Sequence, residues 1–436
     1  MLALLCVLVA AATLNIVHGC SEFLLNTTSD QVVSARTMDF NVDLHTLVEI
    51  IPRNTLVQEP PVRGCPDCLD YAWRTKLGFV AFNSYGYNSA SDGLNEKGLS
   101  AACLYLVGTV YPTLNVTDIS HRPIVSSMIT YILGNFETVD DVKRGLNSVQ
   151  LTADIQDDSS DADNNDASNT DPLHVSVHDA AGQSIVIEFL NGTVHIYDNP
   201  NGVLTNQPPL HDQLALLAAH DKKQGTTDVA FPGGYDAVQR FQRLSLLNRH
   251  ANAHFLRNTS YSVATPDQAA VAAALHILDT VIIPTAHVPI FNIGGMPSAY
   301  EASPFATQYT VVRDHKNLRV FFRSTENQVL KSIDLTKIDF GNPANRKALP
   351  VEAGEWHVDV TAAVLDSTLH SADMPPRSVV EGLLQGKIVT QANAVMPESG
   401  KVDSFWTGVA VGATGAAIAF FVLSARKRQP EYTPLV

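Results

Sequence analysis

The 436-residue chain holds only five cysteines, too few for a scaffold built on disulfides. Basic residues are scarce too. The 29 Lys and Arg stand against 44 Asp and Glu, a formal net charge of −15, which argues against nucleic acid as a partner because phosphate binding needs a basic face. No Gly-x-Ser-x-Gly elbow occurs, and none of the 15 histidines lies in a His-Glu-x-x-His motif, so those two hydrolytic schemes find no support. No repeat period is visible. What is plentiful is apolar side chain: a hydrophobic content of 45% supports a sizeable core.

The two ends of the chain carry the clearest patterns. Residues 1–19 form an apolar run of secretory length, with Val17 and Gly19 at the −3 and −1 positions that signal peptidase tolerates, although no Lys or Arg precedes the run. Cleavage there makes Cys20 the first residue of the mature chain. His18 fits a bacterial lipobox badly; an ordinary half-cystine near the start of a secreted domain is the plain alternative. At the other end, Phe405–Leu423 is an uncharged run of 19 residues followed by Arg426, Lys427 and Arg428. That length spans a hydrocarbon core, and the basic cluster puts the tail in the cytosol, so the chain reads as a single-pass type I membrane protein. The basic, polar tail argues against a GPI signal. Gly408 and Gly412 form a small-xxx-small pair. The segment Tyr432–Leu435 resembles a tyrosine-based sorting signal for endocytic adaptors, which points to an endosomal or lysosomal destination or the cell surface.

Residues 20–404 are left for the luminal part, with 345–404 read as an extension or linker and 424–436 as the cytosolic tail. Cys20, Cys65, Cys68 and Cys103 remain after signal removal. Cys65 and Cys68 have redox or zinc spacing without a second pair, so one structural disulfide among Cys65, Cys68 and Cys103 is the expected role. Sequons at Asn26, Asn115, Asn191 and Asn258 predict glycosylated surface positions, Asn26 awkwardly on what reads as a buried strand. Residues 157–171 hold six Asp among small polar residues and read as an acidic disordered insertion; they lack the Gly and terminal Glu of a calcium loop.

Strand-like runs dominate the first third: residues 32–40, 47–52 and 77–86. Helical periodicity appears at 126–136, at 139–149 with Thr138 as N-cap, at 237–247 and at 268–281. Residues 174–179 and 184–190 resume the sheet. Asn191-Gly192 is a two-residue hairpin signal, and 307–314 with 318–324 form a late hairpin. Strands clustered as hairpins suggest an α+β fold with layered sheets.

A terminal cysteine carries a thiol and a free α-amine on one residue, a nucleophile with its own general base. Its thiol titrates near 8.5 unless a cation lowers that value. A hairpin turning at 28–31 brings Arg36 back beside Cys20 to stabilise a thiolate, with Asp39 placed to accept a hydrogen bond from the amine.

Cys20, Arg36 and Asp39 at this spacing resemble the opening of the choloylglycine hydrolase and penicillin V acylase family. Ser91–Leu99, Gly202–Asn206, Val238–Phe241 and Thr307–Thr310 are similar, in order, to four further blocks of that family. The resemblance covers roughly residues 20–340. It implies an N-terminal-nucleophile hydrolase fold, an αββα sandwich of two antiparallel sheets between helical layers, here followed by a transmembrane helix. It also implies hydrolysis of a small N-acyl amide without metal or organic cofactor. By the same resemblance Asn206 and the backbone N–H of Tyr105 are the oxyanion donors, and Arg240 sets the charge around the nucleophile. A tyrosine at Tyr105 shades the substrate towards penicillin V and away from bile conjugates. A catalytically silent surface glycoprotein on the same fold, or an acid ceramidase-like amidase, are the alternatives.

Overall fold

The computed structural model describes residues 19–26, 30–41, 43–59, 71–84, 90–152, 171–224, 230–251, 265–285 and 306–366. Among the described residues, those up to His357 form one compact unit, and Val358 onwards belongs to a second. The first unit opens with β1 (Ser21–Leu24), β2 (Val33–Phe40), β3 (Leu47–Ile51), β4 (Leu56–Gln58), β5 (Ala72–Arg74), β6 (Phe79–Asn83), β7 (Ala90–Asn95) and β8 (Ser100–Tyr105). A short parallel pair, β9 (Ile124–Val125) and β10 (Gln150–Leu151), precedes β11 (Leu173–His178), β12 (Ser184–Leu190), β13 (Thr193–Asp198) and β14 (Val203–Thr205). The chain then closes the sheets with β15 (Ala306–Asp314), β16 (Arg319–Ser324), β17 (Lys331–Asp334) and β18 (Lys347–Pro350).

Two large sheets result, both antiparallel throughout. One has the order β14-β1-β2-β15-β16-β17, the other β13-β12-β11-β8-β7-β6-β3-β18. They pack face to face: the Phe82 ring stacks on Tyr309 at 5.4 Å and meets Phe322 edge-on at 5.6 Å. Helices α1 (Met128–Asn135) and α2 (Val139–Gly145) cover the outer face of the eight-stranded sheet, burying Ile129, Ile132, Leu133 and Val142 against Phe79, Ala101 and Val175. After α3 (Leu210–Gln224), helices α4 (Ala237–Arg249) and α5 (Pro266–Leu278) cover the six-stranded sheet through Phe241, Leu244, Ala270 and Ala274. A strand held between a facing sheet and a helix layer is apolar or paired on both sides. This is why β2 is buried along almost its whole length and shows no clean alternation in sequence.

The expected αββα sandwich of two antiparallel sheets is therefore present. Thr138 caps α2 in a reciprocal box with Asp141. Asn191 and Gly192 turn the β12–β13 hairpin with φ of 52° and 75°. Elsewhere the expected runs shorten. The strand read over 77–86 spans only Phe79–Asn83, and the helix read over 139–149 ends at Gly145 and tightens into a 3-10 turn. Residues 347–350, read as part of an extension, instead form the edge strand β18 on β3. Because β1 ends at Leu24, Asn26 is exposed, as are Asn115 and Asn191; Asn258 lies outside the described residues. Cys103 carries a free thiol, which removes it from the expected disulfide; Cys65 and Cys68 lie outside the described residues. No helix among the described residues is long and apolar enough to cross a membrane, and 1–18, the acidic segment 157–170 and 405–436 lie outside them. In the second unit the described part contains one short helix, α6 (Thr361–Leu365).

Candidate active site

Register in the six-stranded sheet decides where Cys20 sits. Ser21 is opposite Thr37 of β2 and Thr205 of β14. One residue earlier, Cys20 therefore falls between Met38 and Asn206. The close approach of β14 depends on Gly202, whose φ is 67° and whose carbonyl accepts from Leu24 N at 2.8 Å; a Cβ there would stand 3.1 Å from Leu24 O. Cys20 is 5% exposed, with Sγ 3.8 Å from Met38 Sδ and 3.9 Å from the Asp39 carbonyl.

Arg36 points inward and is wholly buried. Its Nη1 donates to Ser91 O at 2.9 Å and its Nη2 to Cys103 O at 3.1 Å. Like Cys20, it contacts Met38 Sδ. Burial works against the guanidinium charge, but Asp92 and Cys20 outweigh it and push the Arg36 pKa up. At Cys20 burial wins: the thiol pKa is raised, against a downward pull led by Arg36 and joined by Arg240. Arg36 therefore moderates the thiol and does not by itself ionise it.

Asp39 lies on the opposite side of β2. Its carboxylate accepts from Thr307 Oγ1 at 2.5 Å and from Thr37 Oγ1 at 3.0 Å; Thr37 Oγ1 in turn accepts from Ser21 N at 3.1 Å. It thus reaches the backbone beside Cys20 through Thr37. With Gly19 still attached, the nitrogen of Cys20 is a peptide nitrogen. Burial lifts Asp39 to about 6 despite Arg240, Thr307, Thr37 and Arg36.

Arg240, on α4 one turn past the Asp236 N-cap, ties the site together. Nη1 donates to Cys20 O at 2.7 Å and Ser21 Oγ at 2.6 Å, Nη2 to Asn206 Oδ1 at 3.1 Å, and Nε to Tyr235 O at 2.8 Å. Fixing Asn206 Oδ1 on a cation turns its amide nitrogen the other way, where Nδ2 donates to Tyr105 O at 2.9 Å. Leu106 N donates to Pro172 O, so in the antiparallel register Tyr105 aims its own N–H and C=O away from β11, on the side where Asn206 arrives. All six residues selected from the sequence, Cys20, Arg36, Asp39, Tyr105, Asn206 and Arg240, are linked by these contacts.

Sequence reasoning missed what lies behind them. Arg313 donates through Nε to Asp92 Oδ1 at 2.9 Å and through Nη1 to Glu22 Oε1 at 2.8 Å and Ser34 Oγ at 2.9 Å, all buried between the sheets. Asp92 Oδ2 has no hydrogen-bond partner and stands 3.9 Å from Arg36 Nε. Two cations and two carboxylates thus alternate beneath Cys20. His315 donates through Nδ1 to Gly98 O at 2.8 Å, so its Nε2 accepts from Ser34; burial holds it at about 3, neutral. The available signal was Glu22 beside Phe23 and Leu24, and Arg313 beside Val311 and Val312, because a charge carried into a core persists only when paired.

A cysteine heading the first strand of an antiparallel sheet in a two-sheet, helix-covered sandwich defines an N-terminal-nucleophile type of hydrolase fold. Residues 20–347 match the profile of the linear amide C–N hydrolases, choloylglycine hydrolase family, and the chain belongs to that family. The penicillin V acylase of Pectobacterium atrosepticum is 29% identical over 335 residues, covering 74% of this chain and 82% of the relative. A bile salt hydrolase/transferase of Clostridium perfringens is 24% identical over 345 residues, covering 73% and 93%. Among solved structures, penicillin V acylase from Agrobacterium tumefaciens superposes with a TM-score of 0.56 at 28% identity, covering 74% of this chain and 88% of its own. A variant of the Clostridium perfringens conjugated bile acid hydrolase gives 0.57 at 21% identity, covering 77% and 97%, a likeness of fold.

Proposed function

We propose that this family member hydrolyses N-acyl amides of the penicillin V acylase type, with Cys20 as nucleophile and its α-amine, exposed by removal of residues 1–19, as general base. The observation that carries the reading is the Arg240 fork, which holds the Cys20 carbonyl and the Asn206 side chain at once. The family match also begins at residue 20.

In this reading the neutral amine takes the thiol proton as Sγ bonds to the amide carbon. An amide nitrogen has two hydrogens. Asn206 spends one on Tyr105 O and offers the other, with the Tyr105 N–H, to the oxyanion. Each donor contributes about 3 kcal/mol. The α-ammonium returns the proton to the departing amine, which leaves a thioester. Water, deprotonated by the same amine, then releases the acid and restores the thiol. Arg36 on one side of β2 favours the thiolate by its charge, and an ionised Asp39 on the other favours the α-ammonium. The enzyme would work on the luminal or extracellular side, tethered through 405–423, with Tyr432–Leu435 steering it to endosomes or lysosomes.

The test is hydrolysis of penicillin V, bile conjugates and long-chain acyl amides by the mature protein and by Cys20→Ser. Turnover should fall by several orders of magnitude in the variant while its folding is kept. Unchanged turnover, or a mature chain that does not start at Cys20, rejects the mechanism and favours a silent glycoprotein.

A further inference from the structure

Gln213 takes no part in the chemistry described above, yet its side chain is 1% exposed and lies against the segment that presents Asn206. It sits in the first turn of α3 and folds back onto the loop that leads into the helix. Its Nε2 donates to Thr205 O at 3.1 Å, Asn206 O at 3.0 Å and Pro208 O at 2.6 Å, two hydrogens shared among three carbonyls. Its Oε1 accepts from Thr205 N at 3.3 Å and Thr205 Oγ1 at 3.2 Å. One carboxamide therefore fixes the backbone on both sides of Asn206, while Arg240 and Tyr105 fix its side chain.

We propose that Gln213 is a positioning residue for the oxyanion donor: it sets the backbone from which Asn206 aims its amide beside Cys20. This rests on the amidase reading given above. Without Gln213, the buried carbonyls of Thr205 and Asn206 and the half-buried one of Pro208 lose this donor, and the loop shifts to find others. A donor displaced by a fraction of an ångström misses the position the oxyanion takes, so the loss falls on the transition state.

The experiment uses the full mature protein with Gln213→Leu, Asn206→Ala and the double variant, measuring kcat and KM on the amide that the wild type turns over. Alkylation of Cys20 by iodoacetamide reports the nucleophile and the fold without involving an oxyanion. The expected result is a kcat lowered on the order of 10²-fold in Gln213→Leu, with KM and alkylation rate as in wild type. The double variant should lose no more than Asn206→Ala alone. Additive losses, or a kcat unchanged in Gln213→Leu, overturn the proposal. If Gln213→Leu does not fold, Gln213→Glu carries the test: a carboxylate facing three carbonyls is protonated as pH falls and then regains one donor. Its kcat relative to wild type should therefore rise with falling pH; a ratio independent of pH overturns the proposal. A wild type that alkylates normally but hydrolyses no amide defeats the amidase reading itself, and this proposal with it.

Discussion

Asp39 is the clearest case of a group whose placement weakens the fold. Burial lifts its carboxyl from the ordinary 3.8 to about 6, although Arg240, Thr307, Thr37 and Arg36 all favour the charged form. Each pKa unit corresponds to about 1.36 kcal/mol, so holding Asp39 ionised in the folded state costs roughly 3 kcal/mol. The folded-state value is raised for an acid, so between pH 4 and 6 the folded chain binds more protons than the unfolded chain, and this contribution to stability falls as pH rises. Below pH 4 both states are protonated and the cost vanishes; above pH 6 it is fully present. Asp39→Asn keeps the shape and an oxygen for Thr307. The variant should equal the wild type in stability near pH 4 and exceed it by about 3 kcal/mol at pH 7, while losing hydrolysis. Urea unfolding of both proteins at unit pH steps measures the difference. A stability difference that stays flat from pH 4 to 7, or that favours the wild type at pH 7, would refute the reasoning.

Two further substitutions separate charge from geometry and site from scaffold. Arg240→Met removes the cation opposite Asp39 and leaves the carbonyls of Cys20 and Tyr235 without their donor, so it should cost about 3–5 kcal/mol in denaturant unfolding; Arg240→Lys keeps the charge, should stay folded, and should still lose kcat because an ammonium cannot span Cys20 O and Asn206 Oδ1 as the fork does. Glu59 accepts from Trp73 Nε1 and from the backbone and hydroxyl groups of Ser126 and Ser127, on the helix side of the other sheet. Glu59→Gln should lower stability by about 3 kcal/mol and leave the kcat of the folded protein as in wild type.

The strands and helices that the sequence made legible are those where one local signal suffices: the Thr138 capping box, the Asn191-Gly192 turn and the periodicity of 237–247. The order of strands was not legible, because β1 meets β14 across about 180 residues and pairing over such distances leaves no local trace. Cys20, Arg36 and Asp39 were readable as a spacing on one hairpin. Tyr105, Asn206 and Arg240 came from the family resemblance alone, since an asparagine after a strand and an arginine on a helix have ordinary uses. Of the Glu22–Arg313–Asp92 network the sequence showed charges within strands but not their pairing, and Gln213 was invisible, because its meaning depends on which backbone groups three-dimensional packing leaves buried and in need of partners.

The most direct measurement is mass spectrometry of the mature protein quenched with acid during turnover of an acyl amide. The account predicts an N-terminal peptide that begins at Cys20, carries the acyl mass as a thioester on Sγ, and loses it on treatment with hydroxylamine. An acyl group found on any other residue, or steady hydrolysis by a chain whose Cys20 nitrogen is still joined to Gly19, would contradict it.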